Sequence, residues 1–373
     1  MSTLRPGQRV VRFYPEVRSA HLERLDIVGG STTYYLTRRS DFDSTVVRGA
    51  DFRQVSMPGL IRALWRSPAT HLEMPEPMWF QYFPHSSAVI ASVRIRDLFS
   101  KRRTQVVAYA IENSHIERRP RPLKRLPVWA WAVPARHALR VHLKGFDRIA
   151  FGTSGAREAL IDALGESSRS ADRLRRRSRV ILAIPTTCNC AAGRRVPAGV
   201  LFVGALEERK GVSILTAAWD LFHQLEPDAT LTIVGEGPLQ EAVRSAAARV
   251  PSIIYLGPQD RASIHALYRR ASVVVLPSQP HNRWREQVGL PLTEALAHGC
   301  RVVTTNETGL ASWLGEQGAE VLDAPTSPSA LANAIASALR EPSSPEYLLP
   351  NEDGRIVADR WLLDSDSIEA PQA

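Results

Sequence analysis

Two carboxylates eight positions apart, Glu286 and Glu294, bracket Gln287-Val288-Gly289-Leu290-Pro291-Leu292-Thr293, downstream of the apolar run Val273-Val274-Val275-Leu276-Pro277. Proline at 291 suits the first turn of a helix, where its missing N–H has no intrahelical partner to lose. The spacing predicts a helix through Leu292–His298 that stops at Gly299, a natural left-handed terminator. Such a helix start offers unpaired backbone N–H groups and the positive end of a dipole, which suit a phosphate. Glycine at 289 removes the side chain that would hold a ligand away from that backbone. Two carboxylates beside it could accept hydrogen bonds from sugar hydroxyls. The corner reads as a site for a sugar phosphate.

The surrounding chain alternates strands and helices, as a doubly wound domain requires. Strands are predicted at Val200–Gly204, Ala229–Val234, Ile253–Gly257, Val273–Leu276 and Arg301–Thr305, with helices at 212–226, 239–250 and 261–271 between them. Ligands of such sheets gather outside the carboxyl ends of the strands. Gly204, Gly235-Glu236-Gly237-Pro238, Gly257 and the Gly289-Leu290 corner all fall at those ends, so they are expected to border the ligand.

These motifs together resemble the retaining glycosyltransferases of family 4, which have the GT-B fold. Their signature is a Glu, seven residues and a second Glu, usually enclosing Phe-Gly-Leu-Pro; here Val288 stands at the Phe position. The resemblance is good over 198–341 and loose before it. It implies an α/β protein of two facing Rossmann-like doubly wound domains: an acceptor-side domain over 1–190, a nucleotide-sugar donor domain over 198–341, and a tail, 342–373, packing back on the first. It also implies catalytic roles for Glu286, Glu294 and Lys210, with a nucleotide-sugar as substrate and neither cofactor nor metal.

Gly204-Ala205-Leu206-Glu207-Glu208-Arg209-Lys210-Gly211 is similar to the family's Gly-Arg-Leu and Lys-Gly motif, whose arginine and lysine neutralise the donor diphosphate. Lys210 takes the lysine role. It is one of only 4 lysines beside 43 arginines, which fits a compact point charge chosen for a phosphate. The arginine position is Ala205, so Arg209 is the expected substitute. Asn306-Glu307-Thr308-Gly309-Leu310-Ala311 stands where the family often carries a Gly-Gly loop.

In the N-terminal half, strands are predicted at Arg9–Tyr14, Ser31–Leu36, Thr70–Glu73, Gln105–Ile111, Arg148–Ser154 and Arg179–Pro185, with a helix over Ala156–Leu164 capped by Ser154. The family places a catalytic residue, often histidine, after the strand matching 105–111. Glu112 and His115 are the candidates here, with His71 and Glu73 behind them. The family's early Gly-Gly loop is not found after the first strand; Gly29-Gly30 is read as the turn into Ser31–Leu36.

A chain of 373 residues can bury two cores. No apolar stretch reaches the ~18–20 residues needed to span a bilayer, and Met1–Pro6 has no apolar leader character. Cys188, Cys190 and Cys300 are read as reduced thiols of a cytoplasmic protein; their spacing predicts neither a disulfide framework nor a zinc site. Asp41-Phe42-Asp43 and Asp364-Ser365-Asp366 match a metal-binding Asp-X-Asp pattern but lie outside the strand pattern, and no metal is assigned to them.

Charge is unevenly shared. Residues 1–197 carry 34 Lys and Arg against 16 Asp and Glu, whereas 198–373 carry 13 against 22. The first half therefore expects an anionic partner. Arg118, Arg119, Arg121, Lys124 and Arg125 precede Trp129 and Trp131 in a segment, 126–146, suited to an interfacial helix on anionic lipid. Arg169–Arg177 reads as an exposed loop or helix end. No nucleic-acid-binding signature accompanies these tracts. The reading is a cytoplasmic, retaining glycosyltransferase that could associate with the inner face of the membrane, moving sugar from a nucleotide donor to a glycan or lipid-linked acceptor in bacterial cell-surface polysaccharide or glycolipid synthesis. The alternative is a non-catalytic homologue that binds nucleotide or polysaccharide.

Overall fold

A computed structural model describes residues 8–17, 19–38, 51–100, 102–114, 128–190, 196–224, 226–281, 285–340 and 347–364. The chain forms two compact units, one of Met1–Leu182 with Gly354–Ala373 and one of Ala183–Asp353.

The first unit is built on a seven-stranded sheet in the order β3-β2-β1-β4-β5-β6-β7, every neighbouring pair parallel. Its strands are β1 (Val10–Val17), β2 (Ser31–Arg38), β3 (Asp51–Gln54), β4 (His71–Met74), β5 (Gln105–Ala110), β6 (Arg148–Phe151) and β7 (Ser178–Val180). Helices α1 (Ser19–Val28), α2 (Met57–Arg66), α3 (Phe83–Ser100), α4 (Val128–Leu143), α5 (Ser154–Leu164) and α6 (Arg169–Arg176) connect them. One sheet face buries Phe13, Leu72, Val106 and Ile149 in the main core. The other lays Val107 and Ala150 against Ala358 and Leu362 of α13 (Gly354–Leu363), the last helix among the described residues.

The same helix closes a buried ionic cluster. Arg12 of β1 reaches Glu73 of β4 at 2.5 Å and Asp359 of α13 at 2.8 Å. Arg24 of α1 also bonds Glu73 and lies 3.3 Å from Asp359, while the Tyr14 hydroxyl donates to Glu73 at 2.9 Å. Burial alone would raise the Glu73 carboxyl, but Arg12 and Arg24 outweigh it and hold it down at about 2. Glu73 is thus a structural anion in the sheet interior, not a group at a strand end open to ligand. His71 is buried as well, with Nδ1 at 2.9 Å from the Thr70 hydroxyl.

The structure departs from other expectations for local reasons. The strand expected to run to Ser154 ends at Phe151, and Thr153, not Ser154, caps α5 by accepting from the Ala156 N–H at 3.1 Å. The strand expected over 179–185 shrinks to the three residues of β7. Arg169–Arg176 is a regular helix, because Ser168 caps it and Ala171 and Leu174 give it a buried stripe. Strand β3 had no apolar run to announce it. Gly29 and Gly30, both at positive φ, do turn the chain from α1 into β2.

The second unit carries β8 (Gly199–Val203), β9 (Thr230–Val234), β10 (Ile253–Gly257), β11 (Val273–Leu276), β12 (Arg301–Thr305) and β13 (Glu320–Leu322). All pair in parallel in the order β10-β9-β8-β11-β12-β13. Between them run α7 (Val212–Phe222), α8 (Gln240–Arg249), α9 (Arg261–Arg270), α10 (Leu290–Ala297), α11 (Ala311–Glu316) and α12 (Pro328–Arg340). All four residues of β11 are buried, as a β-branched run covered by helices on both faces should be. The order reverses between β8 and β11, and there a doubly wound sheet opens its ligand crevice. Among the described residues no helix is long and apolar enough to cross a membrane.

Candidate donor site

Three loops meet at the carboxyl ends of β8, β11 and β12. The loop after β8 ends at Gly211, whose φ of 74° only glycine adopts comfortably. A Cβ there would stand 2.0 Å from the Pro277 carbonyl oxygen, so glycine is also what lets the two loops touch. The contact is fixed by the Gln279 N–H donating to the Arg209 carbonyl at 2.9 Å. In turn, the Thr305 hydroxyl at the end of β12 donates to the Ser278 carbonyl at 2.5 Å.

Within this junction the Lys210 ammonium forms an ion pair with the Glu286 carboxylate. Ser278 donates to the same Glu286 oxygen at 3.3 Å. The Glu286 backbone is pinned as well: it bridges Thr308, and its carbonyl accepts from the Gly309 N–H at 3.1 Å. The Thr308 hydroxyl donates to the Val288 carbonyl at 3.0 Å. The segment 306–311 is therefore a brace behind the signature, and Ser278 and Thr308 are site residues that sequence reasoning missed. Hydroxyl side chains following strands are too common to single out.

Helix α10 begins at Leu290, with Gly289 at φ 77° before it and Pro291 in its first turn. Gly299, at φ 69°, follows its end as the spacing predicts. Val288 is buried where the family pattern carries phenylalanine, while Leu290 is 43% exposed. Glu294, one turn further on, looks toward α9: it lies 3.3 Å from Arg261. Burial, with Glu294 adding to it, raises Tyr268 well above its ordinary range. Glu286 and Glu294 thus have different partners, Lys210 for one and α9 for the other.

The glycines after β8, β9 and β10 lie side by side. Gly204 N–H donates to Val234, and Gly235 N–H to the Gly257 carbonyl, both at 3.0 Å. A Cβ on Gly235 would stand 1.9 Å from the Gly204 carbonyl oxygen. The Glu236 carbonyl accepts from the Leu206 N–H at 2.9 Å, and its side chain is exposed. Arg209, expected to stand in for the arginine missing at Ala205, holds Glu207 with its guanidinium.

In the first unit Glu112 follows β5, and its carboxylate accepts from the Ser114 N–H at 3.0 Å. His115, Arg118–Arg125 and Asp41-Phe42-Asp43 lie outside the described residues, as do Ser365 and Asp366 and the side chains of Trp129 and Trp131.

Residues 197–341 match the family model described as glycosyl transferases group 1. That match falls within the unit that carries the Lys210–Glu286 junction. Over 169 residues the chain is 35% identical to glycogen synthase of Mycobacterium tuberculosis, covering 44% of this chain and 40% of that one. It is 33% identical over 142 residues to phosphatidyl-myo-inositol mannosyltransferase of Mycobacterium leprae, covering 38% of this chain and 37% of that one. The chain therefore spans about two fifths of the curated relatives it matches. Similarity of fold extends further. The lipopolysaccharide outer core galactosyltransferase WaaB superposes with a TM-score of 0.62 at 12% identity, over 95% of this chain and 99% of that one. Anabaena HepE in complex with UDP and glucose does so with a TM-score of 0.62 at 14% identity, over 95% of both chains. Both sheets belong to the GT-B type of glycosyltransferase fold.

Proposed function

We propose that the protein is a retaining glycosyltransferase that takes a sugar from a nucleotide-sugar held by the second unit and delivers it to a glycan or lipid-linked acceptor. The observation that carries this reading is the Lys210–Glu286 pair at the strand-order reversal, beside the start of α10. Before the donor arrives, each charge satisfies the other. A diphosphate would draw the ammonium to itself and take further hydrogen bonds from the α10 N-terminus, leaving Glu286 to accept from sugar hydroxyls. As the bond from the anomeric carbon to the diphosphate breaks, negative charge collects on the leaving oxygen, where Lys210 and the helix end stabilise it. The anomeric carbon then bonds the acceptor hydroxyl oxygen, whose proton passes to the departing diphosphate oxygen. Lys210 and the backbone supply the positive charge, and no metal is assigned to this step. Glu294, facing Arg261, supports the sugar or the ribose. Glu112 and His115 are the proposed contributors from the first unit. Retention rests on the family resemblance.

The complex of HepE with UDP and glucose makes UDP-sugars the first donors to test. The named relatives acting on glycogen and phosphatidyl-myo-inositol make glycans and lipid-linked sugars the first acceptors. An anionic membrane surface is the proposed setting: the 34 basic residues before position 198 are joined by Leu98 and Phe99, 81% and 80% exposed at the end of α3 and followed closely by exposed Arg102 and Arg103. Ala205 favours the competing reading, a binder without turnover. Hydrolysis and transfer measured across UDP-, GDP- and ADP-sugars separate the two: a binder shows affinity and no product with any of them.

A further inference from the structure

Behind α10, away from the Lys210 junction, three residues with metal-ligating side chains converge from separate parts of the second unit. Cys188 precedes β8, His265 lies on α9 and His298 follows α10; all three are partly buried, and their ligating atoms lie within 4.8 Å of one another. We propose that Cys188, His265 and His298 bind a zinc ion, with water completing its fourth position.

The geometry is already close to a metal shell. His265 Nδ1 and His298 Nε2 stand 3.1 Å apart. Two imidazole nitrogens on a tetrahedral zinc, each at about 2.0–2.1 Å, are roughly 3.3 Å apart. His298 Nδ1 lies 2.7 Å from the Glu294 carbonyl oxygen, which can only accept, so that nitrogen carries the hydrogen and the Nε2 lone pair faces the cluster. A backbone carbonyl orienting the outer nitrogen of a histidine is the usual support of a metal ligand. Cys188 is held in place by its own N–H, which donates to the Ala297 carbonyl at 2.7 Å.

A thiolate with imidazoles and no carboxylate suits zinc and its surrogate cobalt(II), not magnesium or calcium. On binding, the Cys188 thiol releases its proton to solvent, and His265 moves its ring proton from Nδ1 to Nε2. The ion would fasten the segment entering β8 to the end of the helix that carries Glu294. Sequence spacing hides the set, since its histidines lie far from the cysteine and from each other.

The test is a cobalt(II) titration of the full-length protein after chelator treatment under reducing conditions, followed by displacement with zinc. The expected result is one equivalent of cobalt with visible d–d bands and a near-ultraviolet thiolate charge-transfer band, both abolished by zinc. Cys188→Ser should remove most of the charge-transfer band, and His265→Gln should weaken cobalt binding at least tenfold, each variant keeping the wild-type circular dichroism spectrum. Zinc should raise the melting temperature of wild type but not of His265→Gln. Wild-type protein that takes up no cobalt, or folded variants that bind it as tightly as wild type, would overturn the proposal.

Discussion

Lys210 and Glu286, far apart in sequence, form an ion pair that joins the loop after β8 to the loop after β11. Both partners are mostly buried, with side chains 13% and 10% exposed. Each substitution removes the same contact, so the two are not independent. Lys210→Ala should weaken UDP binding by about 10–100-fold, the scale of one charge-assisted contact to phosphate, and slow transfer as well. Isothermal calorimetry on Lys210→Ala, Glu286→Gln and the double variant measures the coupling; strictly additive effects would remove the pair from the mechanism.

Glu294→Gln keeps size and helix propensity and removes only the charge. Transfer should fall by about 100-fold or more while the melting temperature moves by only a few degrees. Full turnover in a folded variant would remove the assigned role.

Gly211→Ala tests the loop contact itself. The substitution forces a side chain into a left-handed backbone and against the Pro277 carbonyl, 2.0 Å away. It should cost about 1–3 kcal/mol and lower donor affinity with it, as read by thermal melting and calorimetry. A neutral outcome would mean that the loop is held elsewhere.

The first unit should be acid-labile. Burial brings His142 down from 6.5 to about 4, so the unfolded chain binds that proton first and stability declines as pH falls below about 6.5. Glu73, held at about 2 against an ordinary 4.5, adds a second loss as pH drops through that interval. Glu73→Gln should remove the lower step and cost about 3–5 kcal/mol at neutral pH, because two buried arginines then face Asp359 alone. Unfolding followed by first-unit tryptophan fluorescence between pH 7 and 3 checks both steps.

Membrane docking predicts binding to liposomes that requires acidic lipid and weakens with salt. Replacing Leu98 and Phe99 with serine, or neutralising Arg118, Arg119, Arg121, Lys124 and Arg125, should release the protein while leaving donor hydrolysis intact. Basic contacts contribute ~1 kcal/mol each near such a surface, so the five together should shift the partition visibly. Equal binding to neutral and acidic liposomes would point to another anionic partner.

The second unit was largely legible in the sequence because each of its strands is a short apolar run closed by a turn residue with one conformational use. Gly289-Leu290-Pro291 fixed the start of α10, and Gly299 its end. The partners of the signature were not legible: that Lys210 meets Glu286, or that Arg261 meets Glu294, depends on which strands become neighbours. Polar β3 escaped detection, and Glu73 was misread because a carboxylate in a strand looks the same whether it faces a ligand or two arginines. The Cys188–His265–His298 cluster is the extreme case, assembled wholly by tertiary folding.

Helix α13 gives the two units different histories during synthesis. The donor unit is contiguous, and its last strand and helix are made before residue 354. The first unit cannot complete its charge cluster until Asp359 arrives, by which time Arg12, Arg24 and Glu73 have long left the ribosome. Until then, two arginines and one glutamate share a site built for two of each sign, and Val107 and Ala150 lack their cover. The half translated first is therefore finished last. A nascent chain halted just before Gly354 should show a protease-resistant donor unit beside a first unit that is still readily cut.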